Sequence, residues 1–318
     1  MRTMLFVTLT VSALFTLSAC QGSDAGEERT DDSHTKQYMA ANGDVEIPEN
    51  PERIVVAVNN LVGYFEPLGI TPIGTPEEVM ENPDFQEILA DVTSIGTVDN
   101  PSLEQIVELD PDLIITLTRY ENIEQFEAIA PTVAIEYGKM DYREQLRAFG
   151  EMTNKQAEAE EWITNWNEQI ELHKEAVHEA VGEKTVSILQ PHANGIYAFG
   201  HNYARGGEII YDEFQLKAPE IAQAELIDNR AGFAEISIEV LPDYAGDFLF
   251  TAPWTGDDLE TSDVYETSIW KNLDAVKKRI TSICLRTNSQ TTMIPLRLNH
   301  AIIYCGCANE AVEKKLGS

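Results

Sequence analysis

The sequence predicts an α/β fold of two similar lobes joined by one long helix, and three observations lead there. Short β-branched runs alternate with helix-patterned segments along most of the chain. One stretch, from about Tyr142 to Val181, changes to a long helical pattern. A serine–acid helix start followed by an aspartate-led apolar strand also occurs once in each half.

Pro51-Glu52-Arg53 leads into Ile54-Val55-Val56-Ala57-Val58, a run apolar at every position, as in a parallel strand buried on both faces. Asn59 to Leu68 is helical in pattern, Gly69 ends it, and Pro72-Ile73-Gly74 starts another short strand. Leu103–Leu109 reads as helix, Asp112–Thr116 as strand, Glu121–Ile129 as helix and Thr132–Ile135 as strand, an alternation that makes an open α/β sheet. In residues 155–181, Ala159, Trp162, Ile163, Trp166 and Ile170 recur at helical spacing, so the tryptophans read as packing. After Gly182 the alternation resumes with Thr185–Leu189, Ile196–Phe199 and a helix from about Gly207 to Leu216. The lobes are therefore expected at 38–154 and 182–318, with the connecting helix at 155–181.

The two halves echo each other. Ser102-Leu103-Glu104 opens a segment ending in Asp112-Leu113-Ile114-Ile115-Thr116, and Ser237-Ile238-Glu239 opens one ending in Asp247-Phe248-Leu249-Phe250-Thr251. Two matches at corresponding places predict a duplicated unit. Helix capping by serine and dipole stabilisation by glutamate would explain both residues without further function.

Residues 1–20 precede the fold. Arg2 is followed by an apolar run, Leu5–Leu17, too short to span a bilayer, which marks a secretory leader. Leu17-Ser18-Ala19-Cys20 matches the lipobox of bacterial lipoproteins, in which the cysteine is acylated; the alternative is an ordinary leader that contains a cysteine. Residues 21–37 are polar and charged and are expected to form a disordered tether. The net charge of −32, from 54 acidic and 22 basic residues, excludes nucleic acid as a partner and a polybasic membrane patch. No second apolar segment is long enough to cross a membrane, so lipid on Cys20 is the only expected anchor.

Phe199-Gly200-His201-Asn202-Tyr203-Ala204-Arg205-Gly206-Gly207-Glu208, Gly232-Phe233-Ala234-Glu235, Tyr244-Ala245-Gly246-Asp247, Tyr265-Glu266 and Trp270-Lys271-Asn272-Leu273 come in a recognisable order. With Pro51–Ile54 and Leu109–Ile114, the chain over about 38–277 resembles the ferric hydroxamate-binding lipoproteins of Gram-positive bacteria. That resemblance implies two Rossmann-like lobes on one long helix, the helical-backbone periplasmic-binding-protein-like fold, with a ligand cleft between the lobes. It implies the substrate-binding component of an ABC importer, which captures a ferric siderophore and delivers it to a membrane permease. The expected protein is a monomer on the extracellular face, with no cofactor of its own, because the siderophore holds the iron.

In this family an aromatic and an arginine of the loop at 202–207 contact the iron complex. Tyr203 stands where a tryptophan is usual, and Arg205 keeps the arginine, whose fixed donors suit hydroxamate oxygens. A surface ion pair is the competing role for Arg205. Tyr197, Tyr120 and Trp254 are candidate aromatic neighbours, Tyr197 serving equally well in the core. Asn59 and Asn60 fall where open α/β sheets place ligands, or else simply form a turn with a helix cap. Glu104 and Glu239 resemble the paired glutamates that dock on permease arginines.

The tail departs from this pattern. Lys277 to Asn309 holds no acidic residue, and Cys284, Cys305 and Cys307 all lie there. Cys305-Gly306-Cys307 has the wrong spacing for a structural zinc site. The resemblance implies an ending with Tyr-Asn-Asp-Pro before a last helix, and Thr291–Leu298 admits codons that would spell YNDPIAL if read one base earlier, so a frameshift after about residue 277 is the expectation, to be checked by sequencing the gene. Lack of a basic cluster favours neutral or cationic hydroxamates over anionic catecholates or citrate. The alternatives are another iron chelate, haem or cobalamin, a defective copy, or a surface lipoprotein enzyme. No G-x-S-x-G elbow, Walker loop or H-E-x-x-H supports the enzyme.

Overall fold

The computed structural model of the chain describes residues 34–80, 85, 88–192, 195–203, 205–251, 263–278 and 281–283. Cys20, Trp254, Cys284, Cys305 and Cys307 lie outside the described residues, as does nearly all of the proposed frameshifted tail.

The described chain opens with an antiparallel hairpin, β1 (Thr35–Ala40) and β2 (Gly43–Pro48). Strand structure thus begins at Thr35, inside the stretch up to residue 37 that composition reads as tether. Backbone pairing across a tight turn needs no apolar run, so composition does not reveal it. Asn42 pins the hairpin to the neighbouring sheet, donating to Thr132 O and accepting from Ala134 N, both at 2.9 Å.

The first sheet comprises β3 (Ile54–Val56), β4 (Gly74–Thr75), β5 (Thr93–Ser94), β6 (Leu113–Leu117) and β7 (Thr132–Ile135), in the order β5-β4-β3-β6-β7. Every pairing in it is parallel. A parallel sheet is covered on both faces, which explains the unbroken apolar runs. Alternate residues divide between two clusters: Ile54, Val56 and Ile115 face one, Val55 and Ile114 the other. Helices α1 (Glu77–Met80), α2 (Leu103–Glu108) and α3 (Ile123–Glu127) connect the strands. The segment after β3 is a 3-10 helix, Asn59–Tyr64, shorter and tighter than the helix to Leu68 that its pattern suggests.

The long helical stretch is two helices, α4 (Tyr142–Met152) and α5 (Gln156–Val181). Asn154 breaks it with a left-handed φ of 57°. Asp141 and Glu144 form a reciprocal capping box that starts α4. In α5 the predicted stripe is the buried face, with Ala159, Ile163, Trp166 and Ile170 at most 4% exposed. Its 26 residues span roughly 39 Å.

The second sheet is mixed. It contains β8 (Val186–His192), β9 (Gly195–Phe199), β10 (Phe233–Ile236), β11 (Phe248–Thr251) and β12 (Thr281–Ile283), ordered β10-β9-β8-β11-β12. The β8, β11 and β12 strands run parallel, while β9 and β10 pair antiparallel. Around it lie α6 (Glu220–Ala222), α7 (Leu241–Tyr244), α8 (Asp263–Glu266), α9 (Ser268–Asn272) and α10 (Asp274–Lys277). Two π-helices, Glu208–Glu213 and Gln223–Asp228, complete it, the first replacing the α-helix expected over 207–216.

The sequence repeat has a structural counterpart. Asp112, just before β6, accepts hydrogen bonds from Glu52 N and Arg53 N ahead of the adjacent parallel strand β3. Asp247, just before β11, accepts from Thr185 N ahead of its own parallel neighbour β8. In each lobe, one aspartate ties the entry of the second strand to the entry of the first.

Candidate functional site

Open parallel sheets offer ligands the crevice beyond the carboxyl ends of their strands, at the point where strand order reverses. In the first lobe that point lies between β3 and β6. The residues following β3, β6 and β7 include Asn59, Asn60, Arg119 and Tyr137, and all four line one cavity. The other wall comes from the second lobe: Tyr197, Phe199, Tyr203, Arg205 and Phe233. The described residues enclose about 250 Å³ there.

The aromatic wall is contiguous. Tyr203 packs on Phe233 at 4.5 Å between ring centres and meets Tyr137 of the opposite lobe edge-on at 5.3 Å. Tyr197 sits 6.0 Å from Phe233 and stacks at 4.2 Å on His192. Gly232 makes this possible: its φ is +77°, and a Cβ there would fall 2.6 Å from Asn202 Oδ1 and 3.2 Å from the Tyr203 ring.

Arg205 is held rather than displayed. Its Nε donates to Gln190 Oε1 at 3.1 Å and its guanidinium lies 4.9 Å over the Phe199 ring. Burial lowers its pKa below the ordinary arginine value; Tyr137 and Tyr203 oppose that shift and Arg119 adds to it. Its φ is +61°, followed by Gly206 at +84°. A non-glycine residue in left-handed backbone costs about 1–2 kcal/mol, so the side chain is kept at some expense to the fold. Arg119 stands opposite, its guanidinium 5.1 Å over Tyr120 and 5.6 Å over Tyr137, donating to Tyr120 Oη at 3.2 Å.

The cleft thus presents one guanidinium from each lobe and, among its described lining residues, no carboxylate. Arg119 and Arg205 are far apart in sequence and line one cavity only in the fold; they are the two cationic side chains among its described lining residues. Asn60 is 5% exposed, and its Oδ1 has no hydrogen-bond partner among the described residues. It is a buried acceptor on a residue that lines the cavity, with the cost of desolvation unrelieved by a described partner.

Asn59, Asn60, Tyr197, Tyr203 and Arg205 are therefore brought together. Tyr120 is not among the lining residues; it contacts one of them, accepting a hydrogen bond from Arg119. Arg119, Tyr137, Phe199 and Phe233 were missed as site residues. The rule that singled out Asn59-Asn60, a position just past a strand end, would have found Arg119 after β6. Glu104 lies in the first turn of α2, exposed, with Ser102 Oγ capping by accepting from Gln105 N at 3.3 Å. Glu239 is also exposed, in a turn ahead of α7, its carboxyl held below the usual range chiefly by a hydrogen bond from the Ser237 side chain.

Two α/β lobes on a connecting helix, with an aromatic and cationic cleft drawn from both, define a two-lobe substrate-binding protein. The chain belongs to the periplasmic binding protein family, whose model matches residues 54–280. It is 42% identical over 278 residues to the iron(3+)-hydroxamate-binding protein FhuD of Bacillus subtilis, covering 86% of each chain. Among solved structures it resembles a FhuD-fold periplasmic binding component of a ferrichrome ABC transporter from B. subtilis, at 36% identity and TM-score 0.72, covering 87% of this chain and 97% of that one. FhuD2 of Staphylococcus aureus with bound ferrioxamine B matches at 28% identity and TM-score 0.72, over 81% of this chain and all of that one. These relatives are binding proteins, and two further B. subtilis proteins similar to this chain, at 32% and 25% identity, are named as a probable siderophore-binding lipoprotein and a putative ABC transporter substrate-binding lipoprotein. Among the described residues no helix is long and apolar enough to cross a membrane.

Proposed function

We propose that this chain captures ferric hydroxamate siderophores in the Arg119–Arg205 cleft and hands them to an ABC permease from the outer face of the cell membrane. The observation that carries this is a cleft with two opposed guanidiniums, an aromatic wall and no described carboxylate, in a chain of net charge −32. Hydroxamate oxygens bound to iron are anionic even where the whole complex is neutral, and guanidinium forks donate to them in fixed directions. Tyr203, Phe233 and Phe199 offer apolar faces to the chelate's hydrocarbon arms. The free Oδ1 of Asn60 takes an amide N–H or ammonium from the ligand, a donor that hydroxamate siderophores carry and simple anionic chelates lack.

The finer assignments follow the same reading. Cys20 carries the lipid anchor, residues before β1 form the tether, α5 separates the lobes, and the protein works as a monomer without a resident cofactor. Glu104 and Glu239, one in each lobe and both exposed, dock on permease arginines. The family match stops at residue 280, which supports an altered reading frame after about residue 277.

Tryptophan-fluorescence titration of the exported chain against ferrioxamine-type, ferrichrome-type and catecholate complexes tests the proposal. Saturable quenching by the hydroxamates alone is expected. Equal binding of ferric catecholates, or no binding at all, removes the hydroxamate assignment.

A further inference from the structure

The loop bearing Tyr203 and Arg205 is clamped at both ends to the π-helix that follows it. At its base, a Cβ on Gly207 would fall 1.9 Å from Gly200 O, so the two glycines are in direct backbone contact. His201, at the start of the loop, meets Asp212 of the π-helix with Nδ1 3.0 Å from Oδ1. Ile210 N, inside the π-helix, donates back to Gly206 O at 2.9 Å. Wherever Glu208–Glu213 goes, the loop must go with it.

The last residue of that π-helix ties it across to the other lobe. Glu213 Oε1 accepts from Tyr142 Oη at 2.8 Å and from Arg143 Nη1, both on α4. Tyr142 Oη in turn accepts from Trp166 Nε1 at 2.7 Å, and Arg143 Nε donates to Asn167 Oδ1 at 2.9 Å, both partners lying on α5. The pair is largely covered, with Arg143 and Glu213 side chains 20% and 15% exposed, so solvent screens it less than a surface pair. α4 and the loop-bearing π-helix meet at the Glu213 carboxylate, and the connecting helix joins them through Tyr142 and Arg143.

We propose that Glu213 is a positioning residue for ligand capture, holding the Arg205 loop at a fixed distance from the Arg119 wall. This rests on the reading of the cleft as the ferric chelate site. It predicts an effect on affinity from a residue that does not line the cavity. A merely structural Glu213 would change the melting temperature and leave both the affinity and the loop's protection as they are.

The test measures Kd for ferrioxamine B by fluorescence and amide hydrogen exchange over 199–207, each in the full chain purified in detergent. Glu213→Ala is expected to weaken binding about tenfold and speed exchange in the loop, the scale of one lost charge-assisted hydrogen bond. Glu213→Gln, which keeps an acceptor for Tyr142 and Arg143, should restore Kd to within about threefold. Tyr142→Phe is the gentler second variant if Glu213→Ala folds poorly, and should move both readouts in the same direction. Unchanged Kd and unchanged loop exchange in these variants, whatever their melting temperature, overturn the proposal. If the wild-type chain binds no ferrioxamine B, the ligand assignment fails, and exchange in the empty protein alone decides the positioning role.

Discussion

Replacing Arg205 by methionine should separate binding from stability in opposite directions. Methionine keeps an unbranched stem of similar reach and removes the charge. On the proposed reading, the guanidinium would supply one to two charge-assisted hydrogen bonds to hydroxamate oxygens, each worth about 1.5–3 kcal/mol. A loss of about 3 kcal/mol weakens Kd by about 150-fold. In the empty protein the account runs differently. Arg205 is half-buried, its charge disfavoured by desolvation and by Arg119, and it bonds Gln190 and lies over the Phe199 ring. Removing a partly desolvated charge relieves that cost while giving up the contacts it makes, so the two effects largely offset. The ligand-free melting temperature of Arg205→Met should therefore stay within about 2 °C of wild type or rise, allowing for the Gln190 amide left behind. Calorimetric titration with ferrioxamine B, beside thermal unfolding without ligand, reads both quantities. Unchanged affinity refutes the role of Arg205 in capture, and a collapse in stability matching the loss of affinity makes it a structural tie.

Other consequences follow from the same geometry. Burial pushes the Glu208 carboxyl up to about 8, reinforced by Asp212, Asp141 and Glu213. The folded state therefore holds a proton that the unfolded chain releases near pH 4.5, so stability falls as pH rises from about 4.5 to 8 and levels off above that. Glu208→Gln should flatten this slope, its advantage over wild type growing by up to about 1.4 kcal/mol per pH unit in denaturant melts. Gly207→Ala should destabilise the second lobe by more than about 2 kcal/mol, since its methyl would collide with Gly200 O, and a normal melt would show that the loop base is looser than described. Charge reversal at Glu104 or Glu239, both exposed, should leave ferrioxamine B affinity within about twofold while cutting iron uptake in cells; unaffected uptake would remove the docking role.

Much of the fold was legible because its signals are local. β3 and β6 are buried on both faces, and an unbroken apolar run records that directly. The α5 stripe, with Trp166 fully packed, is written at helical spacing. Asp112 and Asp247 could be matched in sequence because each lobe repeats one local tie. Three features escaped for physical reasons. The break at Asn154 depends on one residue adopting left-handed backbone, which asparagine allows and does not require. The π-helix at Glu208–Glu213 has a pattern close to that of an α-helix, and its wider turn accompanies the clamp to Gly200 and α4. The cleft was half legible. Tyr203 and Arg205 sit in one short motif, whereas Arg119 and Tyr137 reach it from other strand ends of the opposite lobe. No spacing rule links Arg119 to Arg205; they belong to different sheets and share only the cavity that both lobes line.

The most direct test is to locate the iron. Crystals of the chain grown with ferrioxamine B, measured at the iron absorption edge, should show one anomalous peak between the Arg119 and Arg205 guanidiniums, against the Tyr203–Phe233 wall. A peak anywhere else, or a filled cleft in which neither arginine touches the chelate, would contradict the account.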